Sequence, residues 1–178
     1  MQLDTVLTPD VKQAIEATVM QTRRWEPESV AIALVVDWPH DRLPLLAASH
    51  KQLRTDLVLL FAVLPDKSVV SQFAEDSFAR IVNAAFKDVR AEDQGLLVKL
   101  GNEFRHFGNP IGRAITTFPG HKVPADRLPR KEPGPVYKTQ GDDTVIAFYS
   151  YDYNQMLLYD CKMVFHRDQI TLTSRLLE

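Results

Sequence analysis

The sequence predicts an α+β fold: an antiparallel sheet that ends in a C-terminal three-strand meander and is covered by helices from the N-terminal two thirds. Three observations carry the expectation. Upstream of Pro110, apolar residues recur at spacings of three and four, the period of a helix with one buried stripe. From Thr144 to Leu177 they alternate instead, the period of a half-buried strand. Between the two lies a proline-rich stretch that neither a helix nor a central strand tolerates.

In chain order, the first helix is announced by Thr8 as N-cap, Pro9 in the first helical position and Asp10 in the first turn. Its stripe is Val11, Ile15, Thr18, Val19 and Thr22, and Glu26-Pro27 stops it. SVAIALVVDW follows as a buried strand. Two prolines then place a loop at Trp38 to Leu43 and a helix beginning near Pro44. TDLVLLFAV is a second buried strand, the alternative being one helix from Pro44 to Val63. The longest helical stripe runs Val70, Phe73, Ala74, Ser77, Phe78, Ile81, Val82, Ala85, Phe86, Val89 over five turns. A further helix covers about Asp93 to Phe107, with Leu97, Leu100, Phe104 and Phe107 on one face and Gly108-Asn109-Pro110 as its stop.

A short strand-like piece, Ile111 to Phe118, leads into a loop at 119–143. Five of the eleven prolines fall between Pro119 and Pro135, which gives this stretch polyproline character. It also carries Lys122, Arg127, Arg130, Lys131 and Lys138, so it is locally basic. The meander follows. In its first hairpin, Val145, Ala147, Tyr149 and Tyr151 are expected to face Met163, Cys161, Tyr159 and Leu157 across a three-residue loop, Tyr153-Asn154-Gln155. In the second, Phe165 faces Ile170 and His166 to Gln169 form the loop.

Composition narrows the function classes. At 178 residues the chain fits one domain over 1–178 and needs no staples to bury a core. The formal net charge of −2 gives no global basic field, so nucleic-acid binding is disfavoured. The single cysteine, Cys161, sits on the apolar side of a strand and is expected to be a buried, inert thiol. Nothing in the first residues resembles a signal peptide and no apolar run is long enough to span a bilayer, so a soluble, cytoplasmic protein is expected, with no membrane partner.

The chain has no Gly-rich phosphate loop, His-Glu-x-x-His helix, Cys-x-x-Cys pair or Gly-x-Ser-x-Gly elbow. Its five histidines are isolated from one another, so no metal site and no cofactor are expected. These absences favour a non-enzymatic interaction module that binds an acidic protein partner. The Pro-rich basic loop, through Lys122, Arg127, Arg130, Lys131 and Lys138, and an exposed sheet face form its surface. The alternative is a small-molecule binding protein or enzyme with a pocket between sheet and helices. Tyr149, Tyr151 and Tyr159 would line it, together with His106, which precedes a Gly-Asn-Pro turn, or His121.

Overall fold

Thr8 does what its position predicts. Its hydroxyl accepts a hydrogen bond from the Val11 N–H at 3.4 Å and opens helix α2, Pro9–Arg23, behind a short turn of helix, α1, Leu3–Val6. The helix closes on Arg24, held in the left-handed region at φ 58°. Val11, Ile15 and Val19 are buried along one stripe, while the Thr18 and Thr22 hydroxyls bond back to the carbonyls four residues earlier. These contacts belong to a computed structural model that describes residues 2–36, 38–39, 43–52, 58–86, 89–104, 113–115, 118, 128–152, 155–167 and 169–177. Antiparallel sheets and helices together make the protein α+β, and the described chain falls into two compact units, Met1–Lys87 and Asp88–Glu178.

In the first unit four strands form an antiparallel sheet in sequence order: β1 Val30–Leu34, β2 Leu45–His50, β3 Leu59–Val63 and β4 Val69–Ser71. Its register places Val30, Leu46, Ala48, Leu59, Phe61 and Val63 on one face, and these join Val11, Ile15 and Val19 of α2 in one apolar core. On the other face Leu45, Ala62 and Val70 are buried too, as the continuous apolar run of β3 implies, whereas β1, expected to be a buried strand, buries only Val30 and leaves Ala33 exposed, because it is the outer strand of the sheet. Helix α3, Ser77–Ala85, packs against β4 with Phe78 and Ile81 both 0% exposed.

Two expectations are corrected here. The helix expected from Pro44 is the strand β2, because a segment held between β1 and β3 gains two ladders of backbone hydrogen bonds, and that outweighs the helix propensity of Leu and Ala. The long helix expected from Val70 begins only at Ser77. Ahead of it, the Asp66 carboxylate accepts from the Ser68 hydroxyl and N–H, at 2.7 and 2.9 Å, and this turn folds Val69–Ser71 back onto β3. The Ser68 hydroxyl, and after it the Ser68 N–H, hold the Asp66 carboxyl below the usual carboxylate range.

The second unit opens on helix α4, Gln94–Glu103, which buries Leu97, Leu100 and the following Phe104. It ends at Glu103, short of the predicted Phe107, because Phe104 is already extended at φ −112° and ψ 143°; the predicted Gly108-Asn109-Pro110 stop lies outside the described residues. The sheet consists of β5 Arg113–Ala114, β6 Val136–Gln140, β7 Asp143–Asp152, β8 Leu157–His166 and β9 Gln169–Leu176, all antiparallel. β5 and β6 share one edge of β7, β8 lies on its other side, and β9 forms the far edge. α4 packs on β5 and β7, and the Asn102 side chain accepts from the Ala114 N–H at 3.0 Å.

The loop expected over 119–143 contains a strand. Its prolines end at Pro135, Val136, Tyr137 and Thr139 are strand formers, and Gly141, at φ 62°, turns the chain so that Gln140 meets Asp143. The first hairpin of the meander is one residue out of the predicted register. Val145 faces Val164, Tyr149 faces Asp160 and Tyr151 faces Leu158. Asp152 pairs with Leu157, so four residues rather than three connect the strands, and Met156 takes the left-handed turn position at φ 58°. Tyr153 and Asn154 lie outside the described residues. The second hairpin has the expected register, Phe165 opposite Ile170, with a tighter connection because His166 pairs with Gln169 and Arg167 turns at φ 48°.

Cys161 is fully buried, and its thiol is pushed up to about 12, first by burial and then by the neighbouring Asp160 charge. Two outcomes are expected. The native protein resists an aromatic disulfide reagent at pH 8 and reacts fully in urea. Stability also falls between pH 9 and 12, because the unfolded thiol, with its ordinary value of 9.0, loses its proton while the folded one keeps it. Rapid labelling of the native thiol contradicts the burial.

Candidate functional site

Because side chains alternate along strands and directly opposed residues share a face, the register divides the C-terminal sheet into two chemical surfaces. One carries Ile146, Phe148, Cys161, Met163 and Phe165, all buried. Tyr137 lies on this face as well, and its hydroxyl donates to the Val89 carbonyl at 3.4 Å.

The second surface changes character along its length. At one end Tyr149, Tyr151, Leu158 and Leu177 form an apolar cluster with Ile115, Phe118 and Leu128. Toward the other, Lys138, Lys162, Thr171 and Thr173 are exposed, and Arg175 is exposed opposite Asp160, in the row of Tyr149.

Arg130 holds the proline-rich segment to the apolar end. The Tyr149 hydroxyl accepts from the Arg130 N–H at 2.8 Å and donates to the Arg130 carbonyl at 2.9 Å. The Arg130 guanidinium lies 4.3 Å from the Tyr149 ring centroid, a cation–π contact. It also reaches Asp160, the cross-strand neighbour of Tyr149, with Nη1 to Oδ1 at 2.9 Å. The two side chains are 15% and 9% exposed, so the pair is largely withdrawn from water. Its geometry is that of an ion pair rather than an aligned hydrogen bond, and Arg130 Nε and Nη2 find no hydrogen-bond partner among the described residues.

The predicted partner-binding cations therefore separate. Arg130 is turned inward, because Tyr149 and Asp160 offer its charge and its backbone a site on the chain itself. Lys131 and Lys138 are exposed, and Lys122 and Arg127 lie outside the described residues. The predicted pocket residues separate as well. Tyr149 and Tyr151 share a face, but the one-residue change of register puts Tyr159 on the opposite one. His106 and His121 lie outside the described residues. Among the described residues no three His, Cys, Asp or Glu side chains gather as a metal site, and no helix is long and apolar enough to cross a membrane.

Two cations gain importance that the sequence reading did not give them. In the observed register Lys162 and Arg175 fall on the face of Lys138. Both carboxylates found on that face have basic partners, Asp160 in Arg130 and Asp143 in the His166 ring. No ion pair among the described residues engages Lys138, Lys162 or Arg175. The signal that finds this face in the sequence is the length of the first hairpin loop, which decides whether Lys162 shares a side with Lys138 or with Ile146. No family model matches the chain, and neither the curated proteins nor the solved structures contain a match to it.

Proposed function

We propose that the chain acts as one non-enzymatic, cytoplasmic interaction module that binds an acidic protein surface through the exposed half of its C-terminal sheet and the adjoining proline-rich segment. The observation that carries the reading is the asymmetry of that half-face. Lys138, Lys162 and Arg175 are exposed without acidic partners among the described residues, while the carboxylates beside them are taken. Cations arranged in this way raise the encounter rate with an acidic surface and penalise a basic one. Strands hold their backbones in place, so less ordering entropy opposes binding than on a mobile loop. Lys131, exposed in the proline-rich segment, adds a further cation. A lone buried cysteine fits a reducing compartment.

The test is affinity capture from native cytoplasm with the parent chain and with a Lys138→Glu/Lys162→Glu variant. Both side chains are exposed, so the variant should change stability by no more than about 0.5 kcal/mol per site. The reading predicts an acidic protein recovered by the parent, released as salt is raised, and absent from the variant. Equal recovery by both proteins contradicts it.

A further inference from the structure

Among the described residues no strand pairs with the outer side of β9, and six of its eight residues are exposed. Open edges are usually blunted by proline, by an inward lysine or by a bulge. Gln169–Leu176 contains no proline or lysine, Arg175 is its one charged residue, and its register with β8 runs unbroken from His166–Gln169 to Tyr159–Leu176.

The direction of its free hydrogen-bonding groups follows from the ladder. The Leu177 N–H donates to the Leu158 carbonyl at 2.8 Å, which makes 158 and 177 a hydrogen-bonded pair. By alternation, the odd-numbered residues of β9 bond to β8. Ile170, Leu172, Ser174 and Leu176 therefore direct their N–H and C=O groups off the edge. The two sides of the strand differ chemically. Ile170 and Leu172 are half-buried and Leu176 is 47% exposed on one side, while Thr171, Thr173 and Arg175 stand on the other, with Lys162 directly behind Thr173.

Resting on the reading of the sheet as a surface for an acidic partner, we infer that the partner presents an extended segment of alternating acidic and apolar residues, which adds to β9 as a further antiparallel strand. Its apolar side chains cover Ile170, Leu172 and Leu176. Its carboxylates stand beside Thr171 and Thr173, one strand spacing of about 4.8 Å from Arg175's strand and two from that of Lys162, within reach of long side chains. A second copy of this chain is the poorer occupant, since β9 contains no carboxylate to meet Arg175 and Lys162.

The probe is a soluble synthetic peptide of alternating valine and glutamate, titrated into the full chain and followed by hydrogen exchange. Three controls accompany it: the valine–lysine peptide, a valine–glutamate peptide N-methylated at alternate residues, and the variant Ser174→Pro. Proline at 174 removes an outward N–H and leaves the β8 ladder intact. The expected result is salt-sensitive binding of the valine–glutamate peptide, with slower exchange at the amides of 170, 172, 174 and 176. Affinity should fall about tenfold or more with Ser174→Pro, the scale of a lost backbone hydrogen bond. Neither control peptide should bind. Because N-methylation leaves the protein untouched, the test holds even if Ser174→Pro fails to fold.

Equal binding of the N-methylated peptide, or no protection of the four amides, overturns the inference. If Lys138→Glu/Lys162→Glu still loses the captured partner, the sheet-face reading survives that failure. If it does not, both fall. Dimers of the free chain that Ser174→Pro dissolves would show that a second copy occupies the edge, and would also overturn the inference.

Discussion

Phe78→Ala is expected to lower the unfolding free energy of the first unit by about 3 to 5 kcal/mol. The ring is 0% exposed in the first turn of α3, and Ile81, one turn further on, is also 0% exposed. Alanine removes the apolar area and leaves a cavity that a short helix packed on β4 cannot collapse. Ile81→Ala should cost about 2 to 5 kcal/mol for the same reason. Both tryptophans, Trp25 and Trp38, lie in this unit. Urea titration followed by their fluorescence therefore reports its unfolding, and the midpoint should fall while the slope stays the same. An unchanged midpoint would mean that α3 does not pack as described.

Asp160→Ala is expected to destabilise the second unit by about 3 kcal/mol, because it leaves the Arg130 guanidinium withdrawn from water with no charge partner. Arg130→Met/Asp160→Leu should be the milder change, since it removes both charges and keeps apolar volume on the sheet. The measurement is denaturant unfolding followed by far-ultraviolet dichroism. The account fails at this site if the double variant is the less stable of the two. The same contact changes the expected effect of shortening the proline-rich segment. Judged as a surface loop, replacement of Val123 to Pro133 by a Gly-Ser linker should leave stability almost unchanged. With Arg130 clamped by Tyr149 and Asp160, that replacement also removes the buried partner of a carboxylate, so it should destabilise nearly as much as Asp160→Ala.

Local signals in the chain were legible where a residue's chemistry acts on its own neighbours. Thr8 with Pro9 gives the start of α2, the continuous apolar runs give β1 and β3, and the second hairpin has the predicted register. What could not be read depends on partners distant in sequence. Leu45 to His50 becomes strand because β1 and β3 hold it, and nothing within the segment says so. Val69–Ser71 leaves a helical pattern because the Asp66 turn folds it onto β3. In the first meander hairpin a four-residue connection instead of three moves every β7 side chain relative to β8 by one position. That single step separates Tyr149 from Tyr159, brings Asp160 under Arg130, and gathers Lys138, Lys162 and Arg175 on one face. Arg130 illustrates the same limit from the other side. In sequence it is one cation of a basic loop, and only the fold shows that its charge is used within the chain.

The central claim, that the exposed half of the C-terminal sheet is the surface that meets an acidic partner, is tested most directly by zero-length crosslinking between amines and carboxyls. Chain and captured partner are joined, and the crosslinked peptides are mapped by mass spectrometry. Lys138 and Lys162 are exposed and the carboxylates beside them, Asp143 and Asp160, are paired within the chain, so their ε-amines should be the sites joined to aspartates and glutamates of the partner. Crosslinks confined to lysines of the first unit, such as Lys12, Lys51 and Lys67, with Lys138 and Lys162 unmodified, would contradict the account.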